Sequence, residues 1–472
     1  MLWLAIHLPH LALELFPPCV PPFAVVDGAE QRPLVHSRNR AAAALGIGRG
    51  MPLSAARSLC ADLVVQPRRA AAEQAALEQL ALWAGQYTSQ ISLQPNGLLL
   101  EIGGSLALFG GLASLQSQID AGLRDLGYHP YPGIAPTPLG AWLLARARDP
   151  EPATDRAALT RRLHPLPIEL LEVSAQTLHT LRGLGLATLG DCLRLPRAGL
   201  ARRLTPDLLL HLDRAFGLLP DPRPSYTPPM EFNARIALPA ETANIEALLF
   251  PLRRLLLQLS GLLRAKGAGV QELQLHLEHR QRSASRITLG LLQPSRDSQH
   301  LLALLRERLD RFDLPAPVEA VALHTARFPA LDQEHHELFA APNKIENDRT
   351  TLIERLRARL GNDAVHGLAL HTDHRPEKAW KTCAPATANT TQHVQAENTA
   401  ATARPLWLLP AAQPQSLLGL RLLRGPERIE SGWWDGADAA RDYYIALTPQ
   451  GQRLWVYRDN SDSRWWVQGE FG

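Results

Sequence analysis

Near the start of the chain, LAIHLPHLALEL (residues 4–15) sets His7, His10 and Glu14 at the end of a short apolar run. Strand ends that break at polar residues are where metal-dependent enzymes place carboxylates, because Asp and Glu oxygens hold hard divalent cations. Here no carboxylate occurs before Glu14. His7, as a neutral imidazole, can ligate zinc or manganese, but one neutral nitrogen does not hold two magnesium ions. A second group with metal-ligand chemistry is His366, His371, Asp373 and His374 in HGLALHTDHRPEKAW. Its uneven spacing favours solvated histidines over a metal site. The four cysteines, Cys19, Cys60, Cys192 and Cys383, are scattered with no C-x-x-C pair, which suggests neither a zinc site nor a disulfide framework and fits a reducing compartment. No metal or other cofactor is expected.

The elements that must position these residues read as follows. Leu2 to Ile6 is a buried strand, and His7-Leu8-Pro9-His10 turns the chain out of its sheet. PFAVVDG and LLLEIGG end in turns as strands do, while SAARSLCADL and AAAEQAALEQLALWAGQY carry helical spacing. Residues 166–226 read as short helices with glycine hinges, and PSYTPPMEF as a linker. A long amphipathic helix, ANIEALLFPLRRLLLQLSGLLRAKG, is expected to end at Gly267. In ELQLHLEHRQR, Leu273, Leu275 and Leu277 alternate with His276, Glu278, Arg280 and Arg282, the pattern of a half-buried strand. Residues 383–403 are rich in Ala, Thr and Asn and read as a flexible tether. The last block, 405–472, holds six of the ten tryptophans in β-favouring runs.

At 472 residues the chain has length for roughly three domains. With 20% charged residues and a net charge of +3, attraction to nucleic acid must come from local patches. The most apolar long segment is interrupted by Arg253 and Arg254, so no membrane span is expected. The first residues lack a basic stretch ahead of the apolar run, so a cytoplasmic location is expected.

SRNRAAAALGIGRGMPLSAARSLCADLVVQP (37–67) resembles the fingers segment of Y-family translesion DNA polymerases: Asn39, Gly46, Gly50, Met51, Pro52 and the helix from Ser54 fall in step. The similarity continues through LLLEIGGSLALFGG (98–111), GIAPTPLGAWLLA (133–145) and LRGLGLATLGDCLRLP (181–196). The closing RIESGWWDG, RDYYIAL and RLWVYRD resemble one branch, the ImuB-type polymerase-like proteins of bacterial mutagenesis cassettes. The resemblance implies an α+β multidomain fold with the right-hand architecture: palm over 1–165 with fingers inserted at about 18–72, helical thumb with a helix-hairpin-helix over 166–227, and little finger over 228–331. A clamp-binding segment and linker (332–404) and a β-rich partner-docking module (405–472) would follow.

Active Y-family enzymes hold two metals with one carboxylate after the first strand and an Asp-Glu pair on a second. Those positions fall here on His7 and on Asn96-Gly97, with Pro9 at the other metal-contacting position of the first turn. Glu101 matches a structural position. The triphosphate clamp falls on Arg40 and Ala43, and a phosphate-contacting Lys falls near Asp149. The resemblance therefore implies a non-catalytic homologue, with an active lesion-bypass polymerase using an unconventional metal site as its rival, and a DNA-binding module without a clamp as a third reading.

Expected contacts follow from the same resemblance. Weak, sequence-independent binding of primer–template DNA is expected at Arg182, Gly183, Gly185, Arg202 and Arg203 of the hairpin, and at Arg280, Arg282 and Arg286 of the little finger. A sliding clamp is expected at His335, Glu337, Leu338 and Phe339, with Gln415 to Leu420 ranked second. Trp433, Trp434, Tyr443, Tyr444 and Trp455 are the expected docking aromatics, for an error-prone DnaE-type polymerase and a RecA-like companion.

Overall fold

A computed structural model describes residues 1–16, 19–28, 32–195, 206–331, 344–385 and 404–471. It resolves into two compact units, Met1–Ala340 and Ala341–Gly472.

The first unit is built around a four-stranded antiparallel sheet in the order Ile91–Gln94, Gly97–Glu101, Trp3–His7, Tyr131–Ala135. Alternation along the apolar N-terminal strand serves two cores at once. Leu2, Leu4 and Ile6 pack under the helices Ala70–Ala84 and Leu112–Asp125. Trp3 and Ala5 pack on the other face against the helix Pro138–Ala147. That second core runs on without a break through Leu159, Leu181, Leu189 and Phe216. The helices expected to form a separate thumb thus share a core with the sheet.

Ahead of this core, strands Leu34–Arg38, Phe23–Asp27 and Val64–Pro67 form a small sheet. Asn39 ties it together: its Oδ1 accepts from the backbone N–H of Ala42 (2.9 Å) and Phe23 (3.1 Å), and its Nδ2 donates to the carbonyls of Cys19 and Pro21.

An irregular stretch then leads to a second four-stranded antiparallel sheet, in the order Arg282–Ser295, Val270–His279, Val318–Thr325, Phe232–Thr242. Leu273, Leu275 and Leu277 are buried as the alternation predicts. The strand ends at His279, however, with Arg280 and Gln281 forming a turn, so Arg282 begins the next strand. His279 is buried, with its ring nitrogens 3.0 Å from the Pro317 carbonyl and 2.9 Å from Ser285 Oγ. The long helix Ile245–Ala265 ends as expected, with Gly267 just beyond it and the Ala268 N–H donating to the Leu263 carbonyl (2.9 Å).

The second unit holds more than the expected β module. A helix, Lys344–Leu360, and a hairpin, Gly367–Leu370 with Trp380–Cys383, occupy a region read from sequence as linker. A five-stranded antiparallel sheet follows, ordered Trp407–Pro414, Trp465–Phe471, Arg453–Asp459, Ala439–Leu447, Arg421–Ser431. Among the described residues, no helix is long and apolar enough to cross a membrane.

Candidate functional site

His7 closes the central strand opposite Gly97 on one side and Tyr131 on the other. Pro95 and Asn96 form the turn of the adjoining hairpin, and the Asn96 carbonyl accepts from the Leu8 N–H (2.8 Å). The three positions that the resemblance aligns with a metal site, His7, Asn96 and Gly97, do come together at this strand end. Its chemistry is inverted. A cleft of about 320 Å³ opens there, lined by His7, Pro9, Asn96 and Trp142, by Arg49, Arg146 and Arg148, and by Glu172. Glu172 is its only carboxylate, and it is already bound to Arg146 Nη1 (3.0 Å) and the Trp142 indole N–H (3.3 Å).

Burial, and then Arg146, Arg148 and Arg49 in that order, pull the His7 imidazole down to about 4. His10 is shifted the same way by burial and by Arg148 and Arg49. The ring of His7 meets Trp142 edge-on at 5.3 Å, and its buried Nδ1 has no partner among the described residues. The guanidinium groups around this neutral imidazole repel a divalent cation.

Gly97 adds a steric obstacle. A Cβ built there would lie 2.0 Å from the Ile6 carbonyl oxygen and 3.0 Å from Trp142. No carboxylate side chain fits at 97 without a backbone shift. The two nearby glutamates are committed elsewhere: Glu101 Oε1 accepts from the N–H of Leu2 and Gly103 (3.1 Å each), and Glu14 accepts from the His129 N–H (3.0 Å). Among the described residues, no three His, Cys, Asp or Glu side chains gather to hold a metal. Arg40 and Ala43 lie exposed on the helix Arg40–Ala44, and Asp149 pairs with Arg162.

The hairpin expected to receive a phosphate is corrected by its own hydrogen bonds. Gly185 does make the turn, at φ +74°. The turn amides are nevertheless occupied: those of Gly185 and Leu186 donate to the carbonyls of Arg182 and Leu181, and those of Ala187 and Thr188 to the Asp191 carboxylate. Asp191 completes a capping box with Thr188, so the helix start already holds its anion. Arg182 is exposed but paired with Glu169 (2.8 Å). Arg202 and Arg203 lie outside the described residues.

The solvent face of the second sheet carries Arg286 opposite His276, which in turn pairs with Ala322 and then Arg235 across the strands. Arg235, which sequence reasoning missed, grips Glu278 through its Nε and Nη2 (2.7–3.0 Å). The alternation in EFNARIAL was the signal that could have found it. Arg280 reaches toward Glu241 (3.5 Å), and Arg282 donates to the Pro315 carbonyl (3.1 Å).

In the second unit two expected docking aromatics prove to be core. Tyr443 and Trp455 are buried and stacked at 4.3 Å, and the Tyr443 hydroxyl donates to Gln468. Burial pushes that phenol upward. Tyr444 is half-buried against Trp465 (5.3 Å). Trp433 and Trp434 are 79% and 60% exposed. Arg375, 2% exposed, anchors their loop by binding Asp373, Asp435 and the Ala437 carbonyl. It holds the Asp373 carboxyl at about 2, and the His371 ring lies 3.2 Å from the Lys378 carbonyl. Residues 335–339 lie outside the described residues, while Gln415 to Leu420 form a loop with Leu418 fully exposed.

Residues 20–146 match the impB/mucB/samB family. Protein ImuB of Caulobacter vibrioides is 27% identical over 470 residues, covering 91% of this chain and all of that protein. DNA polymerase IV of Yersinia pestis is 27% identical over 186 residues, 38% of this chain and 53% of that one. Among solved structures, DinB from Sulfolobus solfataricus (16% identity, TM-score 0.41) and an insertion ternary complex of Dbh DNA polymerase (14%, 0.42) align with 70% of this chain and 100% of theirs.

Proposed function

Proceeding from a chain that carries an impB/mucB/samB segment and is similar to Protein ImuB along most of its length, we propose a non-catalytic Y-family polymerase homologue. It serves as a scaffold in damage-induced translesion synthesis, binding DNA, a sliding clamp and an error-prone polymerase. One observation carries the reading: the strand-end cleft, beside Gly97, presents His7 and Asn96 with three arginines and a single, already paired carboxylate. Two-metal phosphoryl transfer needs carboxylates to hold the ions that activate the primer hydroxyl and neutralise the triphosphate. The close approach of Ile6 and Trp142 to Gly97 supports the same reading.

DNA contact rests on the solvent face around Arg286, Arg235 and His276, with Arg280 and Arg282 at its edge. Polymerase docking rests on Trp433 and Trp434. Clamp docking is assigned to Leu338 and Phe339 by motif alone, with the exposed Leu418 loop second. A tethered arrangement raises the local concentration of a recruited enzyme at the primer end.

The test is primer extension by the purified full-length protein on a primed template, with magnesium or manganese and a His7→Ala preparation as contamination control. No extension with either metal is expected. Extension abolished by the substitution would establish the rival, an active polymerase with an unconventional metal site. Deleting Leu338 and Phe339 should release the protein from immobilised clamp; unchanged retention would leave a DNA-binding module without that clamp contact.

A further inference from the structure

The His7 cleft has no role once metal chemistry is set aside, yet its charges are arranged rather than scattered. Arg49 enters from the turn before Met51, Arg146 from the last turn of the helix Pro138–Ala147, and Arg148 from the left-handed residue that caps it (φ 59°). Arg146 is held by the Leu170 carbonyl (2.7 Å) and Glu172. Arg49 is fixed through its Nε to the His36 carbonyl (2.8 Å). The Arg148 guanidinium lies over the Tyr131 ring at 4.4 Å, a contact that orients the planar group while leaving its edge available. Among the described residues neither Arg49 nor Arg148 has a carboxylate partner. Beside them His7 Nδ1 is buried without a partner.

We propose that this cleft binds a phosphate group without a divalent ion, guanidinium forks standing where a polymerase would place its metals. Three cations against one carboxylate favour an anion, and Arg forks match phosphate oxygens two at a time. A volume of about 320 Å³ is at the small end of ligand sites and suits a pyrophosphate-sized group. The phosphate could belong to a free nucleotide or to a DNA strand. This inference rests on the reading of a dismantled catalytic centre.

The experiment is calorimetric titration of the full-length protein in EDTA with inorganic pyrophosphate, then dATP, then pyrophosphate against primer–template as competitor. The test variant is Arg49→Gln with Arg148→Asn, both exposed positions, the asparagine chosen because it tolerates the left-handed backbone. Saturable pyrophosphate binding, weakened at least tenfold in the variant, is expected. The His7 ring should titrate at higher pH once the anion is bound, because the anion offsets the arginine field. Parallel binding of dATP assigns the phosphate to a nucleotide; displacement of pyrophosphate by DNA assigns it to a strand. Absence of saturable binding, equal binding by the variant, or binding that requires magnesium would overturn the proposal. Primer extension tests the non-catalytic reading separately, so the two can fail independently.

Discussion

Two arginine sites in this protein differ in whether their charge is matched. In the second unit Arg375 is buried, bound by Asp373 and Asp435 and by the Ala437 carbonyl, and crossed by the Trp434 ring at 5.8 Å. A Cβ at Gly432 would lie 2.3 Å from its Nη1, so the loop closes directly on the guanidinium. In the first unit Arg49 and Arg148 stand exposed at a cleft with no carboxylate of their own. Every desolvated donor of the first kind needs its acceptors in place, and its purpose is to hold a shape. The unmatched kind leaves its field unspent and is available to a ligand. Matched charge marks architecture, and unmatched charge marks binding.

The sharpest way to break this comparison is Arg375→Ala. Removing the buried partner leaves Asp373 without its cation and Asp435 with Lys378 alone, so the Trp433–Trp434 loop should lose its hold. Hydrogen exchange in full-length protein is expected to rise by more than an order of magnitude across 431–439, while the paired change at Arg49 and Arg148 leaves exchange unaltered. Equal effects from both would erase the distinction. Next in size is Trp433→Ala with Trp434→Ala. On the proposed docking role, these exposed aromatics would act as hot spots, each worth about 2 kcal/mol or more. Capture of the error-prone polymerase should fall at least tenfold, with the melting temperature unchanged. Trp455→Ala should do the reverse by emptying the core beside Tyr443, at a cost of about 3–5 kcal/mol in stability.

What the sequence made legible follows from locality. The strand Trp3–His7, the alternation of Leu273, Leu275 and Leu277, and the stop near Gly267 each depend on neighbouring residues, and each was read correctly. The resemblance pointed to His7, Asn96 and Gly97, which the sheet brings together. The arginine lining there was not legible, because Arg49 lies far along the chain from Arg146 and Arg148 and only packing brings them to one cleft. The Arg375–Asp435 pair spans 60 residues and was invisible for the same reason. Tyr443 and Trp455 were misread because composition counts aromatics without saying which face they occupy. The hairpin near Gly185 was misread because its glycines announce a turn, whereas Asp191 decides whether the amides are free.

A smaller effect is expected on the solvated sheet. On the proposed DNA contact, Arg282→Ala with Arg286→Ala removes two charges that no carboxylate among the described residues holds, so the slope of log affinity against log salt should fall by about 2. Loss of affinity should be uniform across DNA sequences. A slope unchanged from that of the parent protein would move DNA binding off this face.

The smallest effect concerns acid. His7 titrates at about 4 in the folded chain, below the ordinary imidazole value, because burial and three arginines disfavour its cation. The unfolded chain therefore binds the proton first, and stability rises with pH wherever it does so. The contribution is complete above the unfolded value near 6.5 and is lost as pH falls toward 4. His10 shifts in the same direction and adds to the slope. Since His7 is partly open to solvent, screening limits its share to about 1 kcal/mol. Melting of full-length protein between pH 7 and pH 4.5 should therefore be less pH-dependent in His7→Gln than in the parent, read by hydrogen exchange at residues 3–7. Saturating pyrophosphate should flatten the parent's profile by the same route, since a bound anion cancels the field that makes the proton unwelcome. Equal slopes in parent and variant would mean that the arginines do not act on this ring, and the binding cleft would lose its electrostatic basis.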